Sequence, residues 1–452
     1  MKKILAGIAF LAISTQMAYA TQARLIALGL DELDNEGSYY IQDQRNIFLN
    51  AASVNSYADL VVVELGGNGR NVSGNSVASV DQDNLTKAQG GFLKKSGNYV
   101  YGAYLGNESN TSALLRIAST SNAASVNLVA GPTSAPQMLP TADKQVDLFL
   151  GSELANGMKW GASLVYLDNE DENKKQEEKA GAVRLGVMSS NWDAHANISI
   201  MNEAKNQVST EAGALAGSGN TAATVNQEFE GSLGIHVGGS YKLAKGRIYG
   251  FYKTFQWDQK DDYNYTGWTN VTLSGTTVAA GKNGKSEGKF DTYSIGYGVS
   301  ESVNQNGSLF TNIQFKSTNI ELKVAQTVEI KNTIIPITIG YEHVATSWLT
   351  FRGSITQNLY GDRDNKNFSS ANLVVQNLIK DVYGNEGKGT VQNSARVNAG
   401  ATLTFGKLTI DGVVGTTSDS RASTASDSQS RTQSGVLALD NLMTRVAATY
   451  KF

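Results

Sequence analysis

The chain has 452 residues, including 46 glycines, 4 prolines and no cysteine, and its formal net charge is −3. The lack of cysteine excludes disulfide bridges, a thiol nucleophile and a thiolate metal site, and the lack of a basic tract argues against a nucleic-acid partner. No apolar stretch after residue 20 is long enough to cross a bilayer as a helix, so a membrane-spanning form must be a closed β-sheet.

The first twenty residues have the features of an export signal. Lys2 and Lys3 precede an apolar run over 4–13, and Ala20 ends a small-residue tripeptide of the kind that a signal peptidase recognises. We therefore expect cleavage near Ala20. The mature chain then begins with an N-terminal periplasmic or plug-like segment over 21–57, followed by the main domain over 58–452.

From residue 58 the chain repeats one unit of a strand, a short turn, a second strand and a longer polar segment. The predicted short turns are 95–98, 155–157, 189–191, 243–246, 303–307, 345–347 and 406–407. With an opening and a closing strand, these hairpins predict sixteen strands, with a range of 14 to 18. The fold expected is an all-β, transmembrane, antiparallel up-and-down β-barrel with both termini on the periplasmic side.

Alternation of apolar and polar residues at period two assigns the two faces of the strands. The clearest segments are 192–200, 229–243, 335–342 and 395–405. In the second, Phe229 is assigned to the lipid side and His236 to the lumen. The segment 247–257 is left open, because its aromatic residues share a face with Lys253. A β-sandwich would alternate as well, but charges on the polar face of many strands favour a hydrated barrel interior.

The closing strand alternates in the same way and ends on an aromatic residue. Its Tyr450 and terminal Phe452 resemble the C-terminal assembly signal of outer-membrane β-barrel proteins, with Ala447 where that family usually has glycine. The resemblance implies integral insertion into the cell outer membrane by the barrel assembly machinery. The expected partners are then outer-membrane lipid and lipopolysaccharide.

A second resemblance lies in the N-terminal segment. Residues 46–52 resemble the aromatic-x-Asn-Pro-Ala motif of long-chain fatty-acid transport channels, with Ala51 in place of the proline. In that family the N-terminal segment lies inside the barrel, and the resemblance implies a channel for hydrophobic substrates. The family typically has fourteen strands and an apolar lumen path, neither of which the strand pattern here predicts.

Two of the longer segments between strands stand out. The segment 168–178 is the densest charge cluster, for which we weigh a divalent-cation site shared with lipopolysaccharide against a plain solvated loop. The segment 107–142 contains apolar pairs and is the candidate for a loop that folds back into the lumen.

Inward charges of both signs form the predicted pore lining. These residues are Arg184, Arg352, Arg396, Arg445, Asp147, Glu342, Asp411 and His236. Charges on opposite walls of an aqueous channel order water and orient polar solutes. Ion pairs that brace the wall are the alternative reading of the same residues.

The three histidines are the only candidates for acid–base chemistry. Asp193 and His195 share a face near a short turn, which is the wrong end for barrel hydrolases of similar architecture, and no His-Glu-x-x-His or Gly-x-Ser-x-Gly pattern is present. The sequence therefore predicts no enzyme, no catalytic residue, no metal and no cofactor.

A sixteen-strand barrel is wide enough for an aqueous channel. The sequence accordingly predicts a general porin for passive diffusion of small polar solutes. The alternative is an uptake channel for hydrophobic substrates, and a closed adhesin or structural barrel is a third reading. Homotrimers are common among porins, although no stretch of this sequence identifies an oligomer interface.

Overall fold

The structure is a computed structural model. It describes residues 21–31, 36–66, 87–107, 145–171, 176–210, 223–265, 270–273, 276–279, 283–323, 327–367, 385–391, 395–416 and 442–452. The predicted signal peptide and nearly all of the segment 107–142 lie outside these residues. No helix within the described ranges is long and apolar enough to cross a membrane.

The described residues form sixteen antiparallel strands. They are β1 (Leu60–Gly66), β2 (Lys87–Ser96), β3 (Tyr99–Leu105), β4 (Val146–Glu153), β5 (Lys159–Asp171), β6 (Gln176–Met188), β7 (Trp192–Thr210), β8 (Ala223–Gly231 and Gly234–Lys242), β9 (Arg247–Tyr265), β10 (Asn283–Ser302), β11 (Gly307–Lys323), β12 (Thr327–Thr346), β13 (Leu349–Lys366), β14 (Gly387–Thr390 and Arg396–Phe405), β15 (Leu408–Thr416) and β16 (Leu442–Lys451). A separate two-stranded hairpin is formed by Asn270–Leu273 and Thr276–Ala279.

The sheet closes on itself, because β1 pairs with β16 from Leu60↔Lys451 to Gly66↔Arg445. Each remaining strand pairs with its neighbours in chain order, with β8 and β14 each built from two segments. The predicted closed barrel of sixteen strands is therefore confirmed. The seven short turns lie where the sequence places them, at one end that we call the short-turn end. Which side of the membrane this end faces stays a prediction.

The wall is much taller on one side than on the other. β1 has 7 residues, whereas β10 and β12 have 20 each, or roughly 66 Å of extended chain at about 3.3 Å per residue. The apolar band of an outer-membrane barrel is only about 25 Å tall. The tall strands therefore continue beyond the lipid at the long-loop end.

Where the tall strands leave the lipid, the outer face changes from apolar to polar and the inner face changes from polar to apolar. Near the short-turn end of β11, Ile313 and Phe315 are exposed on the outside. Further along, Lys323 on the outside pairs with Glu287, 3.1 Å between Nζ and Oε2, while Leu322 on the inside is buried. The polar face thus lines the lumen at the level of the lipid, and an apolar face lines it above.

The structure corrects the predicted orientation of Phe229 and settles the orientation of the segment 247–257. Phe229 was assigned to the lipid, but it is fully buried and packs inside against Trp257. At the break in β8 after Gly231, the set of alternate residues that faces inward shifts by one position. The apolar–polar pattern of the sequence did not reveal this shift. The open segment 247–257 has its aromatic face inward, with Tyr249 buried against the N-terminal residue Tyr39.

Residues 21–31 and 36–57 lie within the barrel and contact its inward-facing side chains. They form helix α1 (Gln22–Ala27) and two 3₁₀ helices, Gln44–Ile47 and Ala51–Ser56. α1 packs on β13 to β16, and the second 3₁₀ helix packs on β3 to β6. We call this segment the plug; the domain boundaries themselves stay a prediction.

Candidate functional site in the barrel lumen

The first part of the plug is attached to the wall through a buried network that we call the ionic junction. It comprises Arg24 of α1, Glu342 of β12, Arg352 of β13 and Asp411 of β15. Arg24 Nε donates to Glu342 Oε2 at 2.9 Å, and Arg352 Nε donates to the same oxygen at 2.6 Å. Arg352 Nη1 also donates to Asp411 Oδ1 at 2.9 Å. The junction therefore joins one plug residue to three wall strands.

Two buried plug residues at this network have shifted pKa values. Burial acts to lower the pKa of Arg24, but Glu342 and Asp43 outweigh it, so the pKa of Arg24 is raised. Burial raises the pKa of Asp43 to about 7, although Arg24, 3.3 Å away, acts to lower it. Asp43 also accepts a hydrogen bond from the backbone N–H of Arg45 and thereby begins the first 3₁₀ helix.

A second attachment joins the middle of the plug to β7, β8 and β9. Glu36 accepts from Lys253 Nζ at 3.0 Å and lies 3.2 Å from His236 Nδ1, while Tyr39 Oη lies 3.4 Å from His195 Nε2. Burial acts to raise the pKa of Glu36, but Lys253 and His236 hold it well below its usual range. Both histidines therefore serve as contacts of the plug.

The last part of the plug approaches β5, β6 and β7 at backbone distance. Asn50 Nδ2 donates to the carbonyl oxygens of Val187 at 3.4 Å and Ala194 at 3.2 Å. A Cβ at Gly161 would lie 2.2 Å from Ala51 O, and one at Gly186 would lie 1.9 Å from Asn50 Oδ1. Glycine is therefore the only residue that leaves room for the plug at these wall positions.

An apolar cluster fills the space between the plug and the short strands. This plug cluster contains Ile47, Phe48, Val54, Tyr57, Leu60, Val62, Leu93, Val100, Tyr104 and Phe149. Beside it lies a cavity of about 20 Å³, lined largely by apolar members of the cluster and bordered by Arg45 and Glu64. That volume holds about one water molecule.

The second apolar cluster lines the lumen at the long-loop end of β7 to β12. This rim cluster contains Ala204, Phe229, Trp257, Phe290, Ile320, Leu322, Val328 and Ile330, with Phe255 packed against it. The rings of Phe255 and Trp257 stack at 4.7 Å between centroids. Gly288 makes room for the indole, because a Cβ there would lie 2.0 Å from the ring of Trp257.

The residues predicted to line the pore all carry partners. Glu342, Arg352 and Asp411 meet in the ionic junction, and His236 contacts Glu36. Arg184 pairs with Asp147 across neighbouring wall strands. Arg396 lies 3.3 Å from Asp31 of the plug, and Arg445 lies 3.7 Å from Glu64 of β1. Pore lining stays a prediction for this set; what the structure describes is ion pairing within the wall and to the plug.

Other predicted residues lie apart from this site. Asp193 pairs with Arg247 at 2.6 Å, so the suspected pair with His195 does not form. Tyr450 is exposed on the outer face, and Phe452 lies at the short-turn end with Lys94 Nζ 4.7 Å from its ring centroid. Their role as an assembly signal stays a prediction. The charged segment 168–178 is only partly described, and no group of three metal-binding side chains occurs among the described residues.

Sequence reasoning missed Arg24 and Glu36 of the plug, because their wall partners Glu342 and Lys253 lie 318 and 217 residues away. It also missed Asp43, which pairs with Arg24 inside the plug. It also missed the rim cluster. One feature of the sequence could have revealed the rim cluster. Along β11 the outward-facing residues change from the apolar Ile313 and Phe315 to the charged Glu321 and Lys323.

No family model matches the sequence, and no curated protein matches it. Among solved structures, the chain is similar to a FadL homologue of Pseudomonas aeruginosa, with 12% identity and a TM-score of 0.41 over 94% of this chain and 98% of that one. It is similar to the toluene transporter TodX of Pseudomonas putida, with 12% identity and a TM-score of 0.37 over 96% and 98% of the two chains. A third is the toluene transporter TbuX of Ralstonia pickettii, with 12% identity and a TM-score of 0.38 over 97% and 99%. These likenesses are ones of fold.

The prediction of a general porin is wrong. The matched structures are titled as a FadL homologue, toluene transporters and a monoaromatic hydrocarbon channel. Several of the inward charges pair with the plug, which lies inside the barrel. The pattern identified these charges but gave no indication that the plug contacts them.

Proposed function

We propose that this protein is an outer-membrane uptake channel for hydrophobic substrates and that the plug is the barrier in its lumen. The observation that carries the proposal is the rim cluster, an inward-facing group of aromatic and aliphatic residues on six neighbouring strands. The interior of a water-filled porin is polar. An apolar lining at the long-loop end suits a solute that leaves water on entering the barrel.

The plug cluster provides a second apolar surface for the substrate, further into the lumen. Its cavity is lined by Phe48, Val62, Leu93 and Phe149, which are all buried. Because the cavity holds only about one water molecule, a substrate passes only when the plug moves away from the wall. The proposed mechanism is therefore passive movement between apolar surfaces with the plug as the barrier, without a catalytic step.

We further propose that residues 1–20 are removed after Ala20 and that the barrel is integral to the outer membrane. Support comes from the outward-facing apolar belt, in which Val63, Leu164, Ile295 and Ile339 are among the exposed large side chains. Such a belt requires lipid around it. Lipopolysaccharide is the proposed neighbour of the charged outer surface above the belt.

Proteoliposomes containing the purified protein test this function. Toluene and a long-chain fatty acid serve as apolar probes, and a monosaccharide in a swelling assay serves as the polar one. We expect saturable uptake or binding of at least one apolar probe and no swelling above empty liposomes. Ile320→Asn should reduce apolar uptake at least several-fold, whereas Val303→Asn in an exposed turn should not. Sugar-driven swelling together with no apolar binding would reject the proposal.

A further inference from the structure

Two buried carboxylates flank one small residue on the inner wall. Glu64 of β1 and Asp411 of β15 are both in register with Ala447 of the intervening strand β16. The exposed fractions of Glu64 and Asp411 are 1% and 0%. Neighbouring strands lie about 4.8 Å apart, so the two carboxylates lie at the same level with a shallow gap over Ala447 between them.

The start of the plug lies in this gap. Thr21 is 1% exposed, and its Oγ1 lies 3.5 Å from Asp411 Oδ2. The backbone N–H groups of the next two residues, Gln22 and Ala23, donate to the Glu64 carboxylate at 3.3 and 3.1 Å. Ala23 also packs in one buried cluster with Ala447. The first residue after the proposed cleavage site is therefore held between two acidic side chains.

The carboxylates retain capacity for another cation. Asp411 Oδ1 accepts from Arg352, but Oδ2 has the 3.5 Å contact with Thr21 Oγ1, longer than the roughly 2.5–3.0 Å of a normal hydroxyl hydrogen bond. Arg445 Nη1 is 3.7 Å from Glu64 Oε1. A charge-assisted hydrogen bond measures about 2.7–2.9 Å. Arg352 supplies one to Asp411 Oδ1, which also accepts from Thr402, whereas the Thr21 contact with Asp411 Oδ2 and the Arg445 contact with Glu64 are both longer.

We infer that the α-ammonium of Thr21, created by removal of the signal peptide, is bound in the lumen by Asp411 and Glu64 and completes the docking of the plug. Hydrolysis of the Ala20–Thr21 peptide bond consumes one water and leaves a carboxylate on Ala20 and an amine on Thr21, which takes up a proton. The neutral amide of the precursor supplies no such charge. The inference rests on the cleavage site proposed above and makes plug closure a consequence of maturation.

Amine acylation measures the burial of this group directly. The purified folded protein in detergent is treated with an N-hydroxysuccinimide acetate reagent near pH 8, and the N-terminal peptide is quantified by mass spectrometry. An unperturbed α-amine has a pKa of about 7.7–8.0 and reacts readily in urea-unfolded protein. We expect acylation of Thr21 to be at least ten-fold slower in the folded protein.

Variants separate binding of the ammonium from simple burial. Asp411→Asn and Glu64→Gln should each speed acylation several-fold, whereas Asp59→Asn, which changes a partly exposed carboxylate just before β1, should not. Heat-dependent mobility on a gel checks that each variant is folded. Equal rates in folded and unfolded wild-type protein, or a mature N-terminus at a residue other than Thr21, would overturn the inference.

If the carboxylate substitutions prevent folding, an insertion variant tests the binding of the Thr21 ammonium instead. Two glycines inserted between Ala20 and Thr21 leave the cleavage residues in place but move the ammonium out of the gap. We expect trypsin to cleave after the buried Arg24 at least ten-fold faster, and an unchanged rate would count against the inference. Neither measurement involves transport, so both remain readable if the proposed substrate class is wrong.

Discussion

The ionic junction and the rim cluster are both buried on the inner wall, yet they differ in how they are held. The junction joins a plug residue, Arg24, to three strands through charged pairs. Taking charges out of water offsets much of their attraction, so a buried ion pair contributes little more than an apolar pair of the same shape. The rim cluster belongs entirely to the wall, and its apolar burial is stabilising at about 25 cal/mol per Å².

This difference assigns distinct roles to the two regions. The junction fixes where the plug docks, and water or ions can replace its contacts when the plug leaves. The rim cluster has no such substitute, because water cannot satisfy aromatic and aliphatic side chains. In the proposed function, the rim cluster is therefore the permanent apolar lining and the plug is the barrier that is released.

Removal of one junction cation should have the largest effect on the plug. Arg352→Ala leaves Glu342 and Asp411 buried with fewer partners, and loss of one member of a buried pair costs about 3–5 kcal/mol. Trypsin cleavage after Arg24 in the folded protein, which reports plug opening, should rise at least a hundred-fold. Arg247→Ala removes a partly buried ion pair within the wall and is the control; equal cleavage in both variants would contradict the role of the junction.

Truncation within the rim cluster should weaken the barrel and leave the plug docked. Ile320→Ala removes a fully buried side chain, and such changes cost about 2–5 kcal/mol. The midpoint of barrel unfolding in guanidinium should fall while cleavage after Arg24 stays at the wild-type rate. Ile313→Ala, on the lipid face of the same strand, should have a smaller effect. Faster cleavage in Ile320→Ala would show that the two regions are not independent.

A methyl group on the inner wall should displace the last part of the plug. Gly186→Ala places a Cβ where Asn50 Oδ1 lies, and overpacking of this kind costs about 1–3 kcal/mol. Cleavage by trypsin after the buried Arg45 should rise several-fold. Gly412→Ala is the control, because a Cβ at Gly412 meets no atom within 4 Å. If both glycine variants behave alike, close contact of the plug with the wall is not the cause.

The smallest effect should come from titration of Asp43. Burial raises the pKa of this carboxyl to about 7, so the docked plug binds a proton that the undocked segment releases. The contribution to docking is fully present below the ordinary carboxyl pKa and is lost as the pH rises through about 7, by at most about 1.4 kcal/mol per pH unit.

Hydrogen exchange of the plug amides between pH 5 and pH 8 measures this contribution. The wild-type plug should open more readily at pH 8, after correction for intrinsic exchange, whereas Asp43→Asn should show a smaller change across the same range. A pH dependence that persists undiminished in Asp43→Asn would assign the titration to another group.

The number and order of the strands were predictable because they depend on short-range features of the sequence. Short turns and period-two alternation gave all sixteen strands and the inward direction of Arg352, Asp411 and Glu342. The same rule failed at Phe229, since it assumes that the polar face is always the lumen, and that assumption holds only at the level of the lipid. The barrel continues above that level, where water lies outside and apolar residues lie inside.

The plug's contacts were not predictable from one sequence. Arg24 and Glu342 are 318 residues apart, and nothing local distinguishes a wall charge that meets a plug from one that lines open water. The resemblance over 46–52 did indicate where a plug would lie, but the sixteen-strand count weighed against that family. In the candidate site, therefore, the wall residues were identifiable and their partners were not.

The glycines beneath the plug have a consequence for the cell. Gly161 and Gly186 have no side chain where Ala51 and Asn50 contact the wall, so the wall does not narrow the bore at these two positions. A barrel that lost residues 36–57 should therefore have a wider bore here. Bacteria carrying it should become sensitive to bulky antibiotics that the intact envelope keeps out.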